Sequence, residues 1–286
     1  MKNVIITGCS SGFGLLMTKQ LATEGHTVYA TMRNIKTTNQ HAAAELALWG
    51  KQNNVNIFVY ELDVNNEESV KAAVESIATH CNDKIDVLIN NAGLGTVGLL
   101  EEYTDKELQD IFETMVFGPN RVIKAVLSYM HQNRSGLLIL ISSRMSAFQL
   151  PFMGAYSASK AAIHAIAKNY NYELKHAGID SVIVQAGSFK TDISTKYMAV
   201  ESRALAGNYG SWYANARDKI IRLFTTYNQP QDTSLITNAV SEIIATPFGK
   251  RKIVYPVGVG KLEVPINEIN SRSEDMSDEL MQNIGI

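Results

Sequence analysis

Thr7-Gly8-Cys9-Ser10-Ser11-Gly12-Phe13-Gly14 is the stretch on which the reading of this chain turns. It follows the apolar run Val4-Ile5-Ile6, and a helical pattern from Gly14 to Glu24 begins where it ends. A strand, a glycine-rich turn and a helix in that order aim the free N–H groups of the helix N-terminus at a pyrophosphate. Gly8 permits the tight turn, Gly12 lets the backbone approach the phosphates, and Gly14 lets the helix pack close to the strand. The spacing is G-x-x-x-G-x-G rather than G-x-G-x-x-G, and the lysine of a P-loop is missing. Such a turn also serves as a plain strand–helix connection. Its place after the first strand and its flanks favour a nicotinamide dinucleotide, with Gly8, Ser10, Ser11, Gly12, Phe13 and Gly14 as candidate contacts.

Outward from this turn, short apolar runs recur: Thr27 to Thr31, Ile57 to Leu62, Asp86 to Ile89, Leu137 to Ile141, Ser181 to Gln185 and Lys252 to Tyr255. They are continuous rather than alternating, as expected of strands buried on both faces of a parallel sheet. Between them lie helix-like segments at Glu67 to Ala78, Asp105 to His131, Tyr156 to His176 and Thr233 to Ala245. The alternation predicts an α/β fold: a doubly wound, Rossmann-type parallel sheet of about seven strands with helices on both faces. No linker or repeat interrupts it, so one domain over residues 1–286 is expected. Two regions break the rhythm. Residues 190–228 are polar, aromatic and weakly periodic, which suits a lid insertion. Residues 271–286 form a polar, acidic tail expected to be loosely held.

Composition narrows the function classes. Apolar residues are 45% of the 286 and charged residues 19%, enough for a large core and against disorder. Lys plus Arg number 26 against 28 Asp plus Glu, a net charge of −2 that offers nucleic acid or an anionic membrane no electrostatic footprint. Cys9 and Cys81 lie outside any CxxC or metal-type cluster and read as free thiols in a reducing compartment; no metal is expected. No apolar stretch approaches the roughly 20 residues of a membrane span, and Val4-Ile5-Ile6 is too short for a signal peptide. A soluble, cytoplasmic protein is expected.

Three further landmarks join the glycine turn. Asn90-Asn91-Ala92-Gly93 follows the fourth strand, Ser143 precedes Tyr156 by thirteen residues, and Tyr156-Ser157-Ala158-Ser159-Lys160 gives Tyr-x-x-x-Lys. With Thr-Gly-x-x-x-Gly-x-Gly, this combination resembles the short-chain dehydrogenase/reductase family over essentially the whole chain. Cys9-Ser10-Ser11-Gly12, Val28-Tyr29-Ala30-Thr31-Met32-Arg33 and Tyr255-Pro256-Val257-Gly258 resemble its 17β-hydroxysteroid and retinol dehydrogenase-like branch. The resemblance implies cofactor contacts at Asn91 and Gly93, adenine near Asp63 and Val64, Lys160 on the nicotinamide ribose and Thr191 near the carboxamide. It also implies a homodimer or homotetramer paired around Phe112 and Ala161.

The residues themselves suit that chemistry. Tyr156 and Lys160, four apart on a helix, face the same way. A free phenol, with a pKa of about 10, is a poor base at neutral pH, and a nearby ammonium favours phenolate. The pair is therefore expected to move a proton to or from a carbinol or carbonyl oxygen that Ser143 hydrogen-bonds. A ribose 2′-hydroxyl is usually met by an acid after the second strand. Here Ala30-Thr31-Met32-Arg33 offers none, and the Arg33 fork, with Ser11 beside it, suits a 2′-phosphate. NADP(H) is expected ahead of NAD(H), although Arg33 also reads as a solvated loop cation.

Two departures stand out. The family usually carries Asn in the stretch matching Thr114-Met115-Val116-Phe117-Gly118, where Met115 stands, and the resemblance gives that Asn a water connecting Lys160 to solvent. A thioether has no donor to replace it. Ala186-Gly187 replaces the usual Pro-Gly. Gly95 to Leu100, Met145 to Met153 and Lys190 to Tyr213 would line a substrate site rich in Leu, Met and aromatic residues, fitting a small apolar alcohol or carbonyl compound. An NADP(H)-dependent oxidoreductase is the leading expectation. Met115 keeps open a dinucleotide-binding regulatory protein with little or no turnover, and a scaffold with a vestigial pocket is the third reading.

Overall fold

The computed structural model describes residues 1–189, 197–199, 206–225 and 231–285. Seven parallel strands form the main sheet: β1 (Asn3–Thr7), β2 (Thr27–Met32), β3 (Ile57–Glu61), β4 (Val87–Asn90), β6 (Gly136–Ser143), β7 (Ile179–Ala186) and β9 (Val254–Val257). Their order is β3-β2-β1-β4-β6-β7-β9. Winding runs outward from β1 to β3, then restarts at β4 on the other side of β1. The carboxyl ends of β1 and β4 therefore flank the crevice where such sheets bind ligands. Two short strands, β5 (Gly95–Val97) and β8 (Tyr197–Ala199), pair in parallel apart from the main sheet.

The continuous apolar runs follow from burial on both faces. Ile5, Leu88, Leu138 and Ile183 point into one layer, against α3 (Glu67–His80), α5 (Gly118–Asn133) and α6 (Gly154–Leu174). Val4, Ile6, Ile89, Ile139 and Val182 point into the other, against α1 (Gly12–Thr23), α2 (Gln40–Gln52) and α8 (Ser234–Ala245). Alternate residues of each strand serve opposite cores, so no polar alternation can appear. Local signals start the helices. Asn66 Oδ1 accepts from the Ser69 N–H at 2.7 Å at the head of α3. Thr104 and Glu107 form a capping box on α4 (Asp105–Phe112).

Three elements depart from the sequence expectations. The single helix expected over Asp105 to His131 is two helices, α4 and α5, joined by a π-helical turn at Glu113–Phe117. Helix α2 carries only Leu46 and Gly50 buried, too little periodicity to announce itself. A 22-residue helix, α9 (Glu263–Ile284), is buried at Ile266 and Asn270, and the segment expected to be a loosely held tail, 271–286, is its mostly exposed distal part. Polar contacts add to it, among them Lys168 Nζ to Ser273 Oγ at 3.2 Å, and apolar periodicity cannot reveal these. Within the expected insertion, α7 (Ala206–Thr225) is helical.

Candidate functional site

A cavity of about 590 Å3 opens at the carboxyl ends of β1, β4 and β6. Gly8, Ser10, Ser11, Gly12 and Phe13 line its floor; Arg33, Asp63 and Val64 lie at one end, and Ser143, Tyr156 and Lys160 at the other. Asn91, Gly93 and Met115 complete the wall between them. Of the residues singled out in the sequence, Gly14 does not line the cavity. It stands behind the turn, where a Cβ would come 2.2 Å from the Gly8 carbonyl oxygen, so its role is close helix–strand packing. Thr191 lies outside the described residues.

The turn is built to bring backbone near a ligand. Gly8 and Gly12 adopt φ of 74° and 57°, a left-handed region in which side chains are strained. Thr7, at the end of β1, and Asn91, after the neighbouring β4, brace it. Thr7 Oγ1 accepts from the N–H groups of Asn91 and Ala92, each at 3.0 Å. The Asn91 amide donates back to the carbonyls of Thr7 at 2.9 Å and Gly8 at 3.2 Å. Helix α1 then begins at Gly12 with no acidic residue in its first turn, leaving the positive end of its dipole to the cavity. These features fit a pyrophosphate. At the far end, exposed Arg33 follows β2, and its carbonyl accepts from Asn39 Nδ2 at 2.6 Å.

At the opposite end, Ser143 closes β6. Its Oγ accepts from the Met145 N–H at 3.2 Å, so its own proton is left for another acceptor. Burial pushes the Tyr156 phenol up from its usual value, and the bond to Ser143 pulls the other way. Lys160 Nζ donates to the Ile141 carbonyl at 2.9 Å and lies 5.8 Å from the centre of the Tyr156 ring. Burial pulls the Lys160 ammonium down to about 8. A nearby ammonium is expected to lower the phenol. In the structure burial is the larger effect on Tyr156, and Ser143 rather than Lys160 is the neighbour that opposes it.

Met115 is 2% exposed on the π turn, and its Sδ accepts from the Leu94 N–H at 3.2 Å. A π-helical turn inside a helix commonly marks a functional position. Sequence reasoning missed Arg144, which is buried in the same wall. Its Nη2 donates to Ser188 Oγ at 2.8 Å, and its guanidinium lies 6.0 Å from the Phe148 ring. Adjacency to Ser143 was the one available signal. Beyond Tyr156, an apolar cluster of Val97, Met145, Phe152, Met153 and Tyr213 carries α7 over this end. Phe152 stacks on Trp212 at 5.7 Å, and Tyr213 donates to buried Glu102 at 2.8 Å.

Comparison with known proteins agrees with this geometry. Residues 2–201 match the model of the short chain dehydrogenase family. The chain belongs to that family. Human retinol dehydrogenase 8 is 36% identical over 207 residues, 71% of this chain and 64% of its own length. Human 17-beta-hydroxysteroid dehydrogenase type 1 is 31% identical over 205 residues, 71% of this chain and 61% of its own. The alignments thus span a little under two thirds of these relatives and place the chain on the retinol and hydroxysteroid dehydrogenase-like branch of the family. An uncharacterized Bacillus subtilis oxidoreductase, YusZ, is 30% identical over 91% of this chain and 90% of its own. A short-chain dehydrogenase from Streptomyces avermitilis superposes with a TM-score of 0.81 at 27% identity, covering 99% of this chain and 98% of that one. Among the described residues, no helix of this family member is long and apolar enough to cross a membrane, and no group of three or more His, Cys, Asp or Glu could hold a metal ion.

Proposed function

We propose that this protein is an NADP(H)-dependent oxidoreductase that interconverts a hydrophobic alcohol and its carbonyl compound, with Tyr156 as general acid and base. The observation that carries this reading is that Ser143, Tyr156 and Lys160 share one cavity with the glycine turn of Gly8 and Gly12. Gly8, Ser10, Ser11, Gly12, Phe13, Asn91 and Gly93 would hold the dinucleotide backbone, and Asp63 and Val64 the adenine. Arg33 would meet the 2′-phosphate, since no acid stands beside it at the end of β2.

A bound dinucleotide would supply or accept hydride at C4 of its nicotinamide. In reduction, Tyr156 gives its phenolic proton to the carbonyl oxygen as the carbon gains hydride; in oxidation it takes the proton back. Ser143, fixed by the Met145 N–H, donates its own proton to the same oxygen and holds it against Tyr156. Lys160, held by the Ile141 carbonyl, keeps positive charge near the phenol and favours the phenolate formed in transfer. Its second task in this reading is the nicotinamide ribose.

The apolar cluster around Tyr156 supports a hydrophobic substrate. So do the names of relatives: a retinol dehydrogenase, a 17-beta-hydroxysteroid dehydrogenase and a 3-ketodihydrosphingosine reductase all act on hydrophobic alcohols or ketones. The proposal extends to residues 190–228 as a substrate lid, a single cytoplasmic domain, and a homodimer or homotetramer paired around Phe112 and Ala161, which light scattering would read.

The test is NADPH consumption against a panel of hydrophobic ketones. Turnover that falls by roughly 10²- to 10⁴-fold in Tyr156→Phe is expected. Tight NADPH binding with no turnover across the panel would overturn the reading in favour of a regulatory protein.

A further inference from the structure

Behind Ser143, on the side away from the cavity, four polar side chains from four elements form one hydrogen-bonded chain. Asn270 of α9 donates from Nδ2 to Gln185 Oε1 at 2.9 Å. Gln185 of β7 donates from Nε2 to Ser146 Oγ at 3.0 Å. Ser146, in the 3-10 turn Arg144–Ser146, donates to the Ser143 carbonyl at 2.7 Å. His164 of α6 meets the same hydroxyl through Nδ1 at 3.2 Å. Gln185 is fully buried, and Asn270 is 8% exposed.

Proton counting orients every bond. Ser146 owns one proton, and the shortest of its contacts, to the Ser143 carbonyl, has no proton of its own to offer. Ser146 must therefore give its proton to that carbonyl and accept from both Gln185 and His164. His164 is then the neutral tautomer with hydrogen on Nδ1. Burial pulls its pKa down to about 4, the nearby Lys168 charge adding to the effect, so the ring is neutral at physiological pH. The bonds of Asn270, Gln185 and Ser146 run one way, from α9 to Ser143, and bonds aligned in that manner strengthen one another.

We propose that Asn270, Gln185 and Ser146 are positioning residues for the reaction, and that α9 thereby sets the placement of the Ser143 hydroxyl. This rests on the oxidoreductase reading above. Ser143 is pinned at two points: its Oγ receives the Met145 N–H and its carbonyl receives the Ser146 hydroxyl. Both bonds depend on the same short turn. Releasing Ser146 frees that turn, and with it the oxygen that must sit within hydrogen-bonding reach of Tyr156 and substrate. A polar helix that touches no substrate thus becomes part of the catalytic geometry.

The test compares Asn270→Ala, Ser146→Ala and Ser146→Thr with Glu274→Gln, which alters the α9–α6 seam at Lys168 and leaves every hydrogen bond of the chain in place. Asn270→Ala and Ser146→Ala are expected to lower kcat roughly tenfold, as small misplacements of reacting groups do. KM and the NADPH dissociation constant should stay near wild type. Ser146→Thr, which keeps the hydroxyl, should restore kcat, and Glu274→Gln should leave it unchanged. Wild-type kcat in both alanine variants, or an equal fall in Glu274→Gln, would overturn the proposal. Should Ser146→Ala fail to fold, Asn270→Ala carries the test. Nitrogen NMR of His164 separates this proposal from the function itself. An Nδ1-protonated neutral ring whose signals move in Asn270→Ala supports the chain even in a protein that turns over no ketone. The other tautomer, or signals unmoved by Asn270→Ala, overturns the chain whatever the activity.

Discussion

The backbone N–H of Leu94 donates to the sulfur of Met115 at 3.2 Å. The residue standing where the family usually has asparagine is therefore the acceptor for the loop that follows β4. Met115→Leu removes that acceptor and leaves a half-buried N–H unpaired. A loss of about 1 kcal/mol in urea unfolding is expected. Met115→Asn retains an acceptor and adds a donor that a thioether lacks. Steady-state kinetics on the best ketone should show kcat raised in this variant; an unchanged or lower value would mean that proton supply to Lys160 does not run past position 115.

Gly14 supports the glycine turn without reaching the cavity. A Cβ there would stand 2.2 Å from the Gly8 carbonyl oxygen and 2.7 Å from Asn91 Nδ2, so Gly14→Ala must displace the turn that Asn91 braces. Overpacking of this kind costs about 1–3 kcal/mol. Because the displaced atoms belong to the proposed phosphate cradle, NADPH affinity should fall with stability. Calorimetric titration that found wild-type affinity in Gly14→Ala would separate the turn from cofactor binding.

Arg33 is exposed at the end of β2 and lines the cavity opposite Tyr156. If it meets a 2′-phosphate, Arg33→Ala loses a charge-assisted hydrogen bond only with the phosphorylated cofactor. The expected result is an NADPH dissociation constant raised roughly tenfold, with NADH nearly unaffected. Equal losses for both dinucleotides would count against the 2′-phosphate assignment.

Lys160 and Tyr156 give opposite pH signatures. Lys160 is pulled from 10.5 to about 8 by burial, so the folded state binds its proton more weakly than the unfolded state. Stability in the absence of dinucleotide should therefore rise with pH between about 8 and about 10.5 on account of this group. Lys160→Met should be the more stable protein at pH 7 by up to about 3 kcal/mol, with the gap closing at high pH. Denaturant melts at pH 7 and pH 10 read the difference. Tyr156 shifts upward, so its proton is fully present at neutral pH. Ketone reduction should be flat through neutrality, whereas alcohol oxidation, which needs the phenolate, should climb as pH rises.

Much of the fold and cradle was legible because their signals are local. A strand buried on two faces must be apolar at every position, and Val4, Ile5 and Ile6 show this without reference to any other segment. Tyr156 and Lys160 are joined by one helical turn, and the positive φ of Gly8 and Gly12 is a property of glycine itself. Helix α9 was illegible for the opposite reason. Its docking rests on two buried positions and polar contacts to α6, none of which leaves an apolar rhythm in the chain.

The amino-acid sequence by itself determined the alternation of buried strands and helices, the glycine turn and the spacing of Ser143, Tyr156 and Lys160, because each is set by backbone preference or by neighbours within a few residues. Only the tertiary structure decided what those residues touch. It turned Lys160 toward the Ile141 carbonyl, gave Met115 the Leu94 N–H as its partner, and buried Arg144 in the cavity wall. It also joined Asn270 to Gln185, 85 residues away, and Gln185 to Ser146, 39 residues away. Contacts across such separations depend on which strands lie side by side and which helix covers them, and burial then fixes the protonation of the groups enclosed.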